Sequence, residues 1–82
     1  MTRTIETAFT QEFLRLTMLE VRKHTTAEER RKAWTYRLDR RGHHEFHGPN
    51  GFYWHGCAGD KYDARAKGWS AYLTSIGKEG IR

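Results

Sequence analysis

Between Arg30 and Arg41 the chain carries Arg30, Arg31, Lys32, Arg37, Arg40 and Arg41, against Asp39 as the sole acid in that window. Guanidinium and ammonium groups on turns and strand edges reach phosphate oxygens, and such contacts supply most non-specific affinity for nucleic acid. Lys61, Arg65 and Lys67 add three cations further on, partly balanced by Asp60 and Asp63. The competing reading is a solvated basic surface that keeps a small protein in solution.

A second constellation is rich in imidazole: His43, His44, His47, His55 and Cys57 fall within fifteen residues. Imidazole and thiolate are zinc ligands, which makes His43, His47, His55 and Cys57 candidate ligands and zinc the candidate cofactor. Their spacing fits no standard finger or ribbon, and only one ligand is a thiol. The plainer reading is a row of half-exposed strand residues with no cofactor, able to hydrogen-bond phosphates or bases. Cys57 beside His43 or His55, with Glu45 to orient the ring, has the parts of a thiol-imidazole pair. No oxyanion hole or substrate pocket is signalled. The glycines at 48, 51, 56, 59 and 68 lack the spacing of a nucleotide-binding loop. The expectation is a protein without catalytic activity.

The elements that position these groups must come from a short chain. Its 82 residues make one domain spanning 1–82, with a net charge of +5 when histidines are neutral. Only 37% of the residues are apolar, yet 3 Trp, 4 Tyr and 4 Phe can build a small core from rings. A lone cysteine fits a reducing, cytoplasmic setting. No apolar run has membrane-spanning length, and Met1–Glu6 leads into no signal-peptide stretch.

Thr10 as cap, Glu12 in the first turn and Arg22-Lys23-His24 at the end frame an N-terminal helix, although Leu14, Leu16 and Met18 also alternate as a strand would. Thr25-Thr26-Ala27-Glu28-Glu29 carries capping-box spacing twice and starts a short second helix. Asp39-Arg40-Arg41-Gly42 and Gly48-Pro49-Asn50-Gly51 each read as a type I turn closed by a left-handed glycine. Those turns pair residue 39 with 43 and 48 with 52, giving a three-stranded antiparallel meander. Trp34, Tyr36 and Leu38 then share a face with His44, Phe46, Phe52 and Trp54. The other face collects Thr35, Arg37, Asp39, His43, Glu45, His47, Tyr53, His55 and Cys57, with Arg37 opposite Glu45 and Asp39 opposite His43. On it Tyr53 is the ring free to stack on a base or pack on a partner. Asp60 caps a last helix with a stripe of Tyr62, Ala66, Trp69, Leu73 and Ile76, and Gly77 ends it. The expected fold is α+β, with the C-terminal helix packed on the aromatic sheet face.

The order helix, three strands, helix resembles a double-stranded RNA-binding domain, and Gly59, Lys61, Ala64, Arg65 and Leu73 fall at similar places in the last helix. Tyr62 stands where a second Lys is usual, and the loop after the first strand lacks Gly-Pro-x-His. The resemblance implies phosphate contacts from Lys61 and Arg65. The segment from Trp34 to Ile76 is similar to the arm-binding domains of phage-type integrases. That likeness would turn Arg37, His43, His47, Tyr53 and His55 towards the DNA major groove.

Two functions follow as expectations. The first is a small DNA- or RNA-binding protein using Arg30, Arg31, Lys32, Arg37, Arg40, Arg41, Lys61, Arg65 and Tyr53. The second is a phage-type inhibitor or adaptor that docks on a larger protein machine through the polar sheet face or spare apolar residues of the first helix. Neither involves a membrane, and so small a core leaves room for a dimer.

Overall fold

A computed structural model describes the backbone of residues 5–77 and the side chains of residues 11–77. In chain order it holds α1 (Ile5–Val21), α2 (Ala27–Lys32), β1 (Trp34–Arg37), β2 (His43–His47), β3 (Tyr53–Cys57) and α3 (Lys61–Ser75). The strands form one antiparallel sheet in the order β1-β2-β3, so β1 is an edge. This is the expected α+β order.

α3 lies against all three strands on one side and against α1 on the other. Trp69, Phe46, Leu73 and Val21 are fully buried at this junction. Removing each such side chain from water contributes roughly 1.5–3 kcal/mol. Phe46 meets Trp69 edge-on at 5.0 Å, and Phe52 meets Tyr72 at 5.4 Å. The stripe on α3 holds at its centre, where Ala66, Trp69 and Leu73 are buried, and fails at its ends. Tyr62 is 39% and Ile76 41% exposed. Ala64, Gly68 and Tyr72 are buried as well, because α1 covers a second side of the helix. Gly68 lies over Phe46, where a Cβ would overlap Cγ of that ring and stand 2.5 Å from its Cβ.

Caps set the helix limits. Thr26 accepts from the Glu29 amide while the Glu29 carboxylate accepts from the Thr26 amide, so the second of the two candidate capping boxes is the one that forms. Asp60 accepts from the Asp63 amide to open α3, and Gly77 at φ +84° ends it. Thr10 does not begin α1. The helical backbone already runs from Ile5, and the Thr10 side chain lies outside the described residues.

The second hairpin has the expected register, with Gly48 donating to Phe52 across a three-residue loop. Asn50 joins Gly51 in the left-handed region (φ 57° and 77°), so the turn is not type I. Asn tolerates that region better than most residues. The first hairpin departs from expectation by one residue. Leu38 donates to His43 at 2.8 Å, leaving the four residues Asp39–Gly42 in the loop. Asp39 is drawn out of the strand by its own carboxylate. Its Oδ1 accepts from the amides of Arg41 (2.8 Å) and His43 (3.3 Å), and Oδ2 lies 2.7 Å from His43 Nδ1. Gly42, at φ +90°, closes the loop and accepts from the Ala58 amide.

The slip reverses β1. Trp34 pairs with His47, Thr35 with Phe46, Tyr36 with Glu45 and Arg37 with His44. Since side chains alternate along a strand, Trp34 and Tyr36 point away from α3, and Thr35 and Arg37 point towards it. Neither the Arg37–Glu45 pairing nor the cross-strand Asp39–His43 pairing forms. The Asp39–His43 contact survives inside the loop instead.

Candidate nucleic-acid interface

Two open clefts lie side by side along β1, and Thr35 lines both. The larger, about 730 Å³, is lined by Tyr36, Arg37, Arg40, Arg41, Lys61 and Asp60, among others. The smaller, about 250 Å³, is bounded by Arg30, Arg31, Trp34 and Arg65. Each group arrives by a different route. The slipped register aims Arg37 to the α3 side, and the four-residue loop holds Arg40 and Arg41 at its tip. Asp60 starts α3 so that Lys61 and Arg65 run beside β1, and the capping box at Thr26 presents Arg30 and Arg31.

Among the described residues, most acids are committed to partners outside the clefts. Glu12 pairs with Arg15, Glu20 with Lys23 and His24, Glu28 with Lys32, and Asp63 with Lys67. Asp39 is held by its own loop and by His43. The His43 contact, followed by the loop amides, keeps its carboxyl below the ordinary carboxylate range. Asp60, the one acid in the larger cleft, caps α3. Among the described residues, Arg31, Arg37, Arg40, Arg41, Lys61 and Arg65 form no ion pair with a carboxylate. Arg37 donates through Nε to the Asp39 carbonyl at 2.9 Å, which braces it without neutralising it. Arg30 is tied to the carbonyl and hydroxyl of Thr25 at 2.8 and 3.0 Å.

Seven of the nine residues singled out from the sequence therefore converge on the two clefts. Lys32 does not, since it leaves both clefts and pairs with Glu28 at 3.2 Å. Tyr53 stands on the opposite sheet face, where its hydroxyl donates to Glu45 at 3.0 Å. That bond to a carboxylate raises the phenol above its ordinary pKa.

Compared with protein-family models, curated proteins and solved structures, the chain matches none. Its function must be read from its own surfaces.

The sheet face away from α3 carries Trp34, Tyr36, His43, Glu45, His47, Tyr53, His55 and Cys57. Trp34, Tyr36 and Leu38, expected on the aromatic face that packs against α3, are instead 49%, 56% and 48% exposed. Arg37, expected on this face, is on the other. His43 stands opposite Cys57 and Glu45 opposite His55, as expected. Among the described residues, however, no three His, Cys, Asp or Glu side chains are grouped to hold a metal ion. His47 is stacked on Trp34 at 4.0 Å, and its Nε2 lies 3.2 Å from Glu45 without hydrogen-bond geometry. Cys57 is an exposed free thiol. No helix among the described residues is long and apolar enough to cross a membrane.

Proposed function

We propose that this protein binds nucleic acid, gripping phosphates along the β1 edge with Arg31, Arg37, Arg40, Arg41, Lys61 and Arg65. One observation carries the reading: six cations that have no carboxylate partner among the described residues line two adjoining clefts, whose one acid, Asp60, is engaged in capping α3. Left unneutralised, clustered like charges repel one another, and a polyanion relieves that repulsion while releasing its condensed counterions. The resemblance to double-stranded RNA-binding domains points to the same two helix residues, Lys61 and Arg65.

The test is a titration with single-stranded and duplex DNA and RNA at low salt. Arg40→Gln with Arg41→Gln weakens binding several-fold, while Lys23→Gln, remote in sequence and paired with Glu20, leaves it unchanged. Absence of binding, or equal loss from both variants, overturns the reading. The adaptor reading draws support from exposed Leu38 and Tyr53 beside the outward-facing rings. It gains ground only if nucleic acid fails to bind.

A further inference from the structure

We infer that the outer sheet face is a stacking platform for the bases of a single-stranded nucleic acid, with Trp34 and Tyr36 as its principal rings. This rests on the nucleic-acid reading above and specifies which form of the polymer is bound.

The register builds the platform. Trp34, His47 and Tyr53 are paired positions on the three strands, so they form one cross-strand row. Ring centroids along it are 4.0 Å apart from Trp34 to His47 and 5.0 Å from His47 to Tyr53. Tyr36, Glu45 and His55 form the row beside it, with Tyr36 edge-on to Trp34 at 6.2 Å. The Trp34 and His47 planes are within 8° of parallel, so the imidazole covers one face of the indole. The remaining exposure of Trp34 lies on its other face and its edges. That is the arrangement in which a ring is held rigid from behind and open to a flat partner in front. Every base offers such a partner through its π-face.

Charge selects the occupant. Trp34 borders the cleft of Arg30, Arg31 and Arg65, and Tyr36 borders that of Arg37, Arg40, Arg41 and Lys61. Each β1 residue that carries an exposed ring on the outer face therefore also lines a basic cleft on the other side of the strand. Glu45, central on the outer face, repels phosphate there. A strand running along β1 keeps its phosphates over the clefts and lays its bases inward on the rings. A paired duplex hides its base faces and cannot make that contact. A protein partner would use the rings but has no need of the flanking unneutralised cations.

The experiment compares a labelled single strand of about 12 nucleotides, a length within the usual range of single-strand sites, with the same sequence as a duplex. Deoxy and ribo forms are tested separately. The single strand binds more tightly than its duplex, and the tighter of the deoxy and ribo forms identifies the natural class. Trp34→Leu and Tyr36→Leu each weaken single-strand binding roughly tenfold, the scale of one lost base stack. Trp34→Phe, which keeps a ring, retains most of the affinity and loses the tryptophan quenching that stacking produces. Both positions are exposed, and circular dichroism confirms that the variants fold. If the duplex binds better, or the leucine variants bind as the parent does while Arg40→Gln with Arg41→Gln still weakens binding, stacking is wrong and the phosphate reading stands. If no nucleic acid binds at all, both fail.

Discussion

Replacing Gly68 by alanine sets two opposed effects against each other at one atom. Within a helix, alanine is favoured over glycine by about 0.8–1.0 kcal/mol. If α3 were judged by propensity alone, the change would raise the melting temperature. The packing opposes it. A Cβ at residue 68 would overlap Cγ of Phe46 and stand 2.5 Å from its Cβ and 2.7 Å from its Cδ1. Carbon atoms pack best at roughly 3.5–4.0 Å, so α3 and β2 must separate by about 1 Å. One of the atoms struck is Cβ, which no rotamer change moves aside, and Phe46 is wholly buried, so its ring has no open space to swing into. Overpacking of this kind costs about 1–3 kcal/mol and sometimes more. The net expectation is a loss of up to about 2 kcal/mol, which in a domain of this size lowers the melting temperature by as much as roughly 15 °C. Thermal unfolding by circular dichroism measures it. A double-mutant cycle with Phe46→Leu adds a sharper reading, because the smaller side chain relieves the contact. The coupling between the two sites should be about 1 kcal/mol or more and favourable to the double variant. A higher melting temperature for Gly68→Ala, or no coupling to residue 46, would refute the close approach of α3 to the sheet.

Three further outcomes follow from single groups. Thr17 is fully buried in α1, and its hydroxyl finds no partner among the described residues, so Thr17→Val should raise stability by about 1 kcal/mol in urea unfolding. Asp39 titrates below the ordinary carboxylate range because of His43 and the loop amides; His43→Ala should move its midpoint upward in an NMR titration. A depressed carboxyl stabilises the fold above its unfolded pKa, and that contribution disappears as pH falls through the folded value. The stability advantage of the parent over His43→Ala should therefore vanish at low pH, and an advantage that persists there would contradict the bond. Tyr53 is shifted the other way by Glu45, so its share of stability is present below the ordinary phenol pKa and lost as pH rises through the folded one. Glu45→Gln should bring phenolate formation to lower pH in an absorbance titration.

The second hairpin was legible because Pro49-Asn50-Gly51 leaves the chain one short way to turn. The first was not, since Asp39 can serve as a strand residue or as a loop residue whose carboxylate caps amides. Alternation cannot arbitrate, because Trp34, Tyr36 and Leu38 keep their spacing when the strand slips by one and simply exchange faces. The signal available was Asp39 itself, at the first position of a polar run where an Asx turn forms. On α3 the central stripe was readable from period alone, whereas Tyr72 and Ala64 required knowledge that α1 covers a second side. The cation cluster was visible as a run of charges. That Lys32 is neutralised by Glu28 while Arg65 is not depends on which side chains share a face, and the fold alone decides it.

The account stands most directly on the salt dependence of binding. Each phosphate neutralised contributes about 0.7 to the slope of log K against log salt on a single strand and about 0.9 on a duplex. Six engaged cations therefore predict a slope near −4 on a single strand, shallower by about 1.4 when Arg40 and Arg41 are both replaced by glutamine. A slope near zero, or one that the two substitutions leave untouched, would contradict the claim that the β1 clefts hold phosphate.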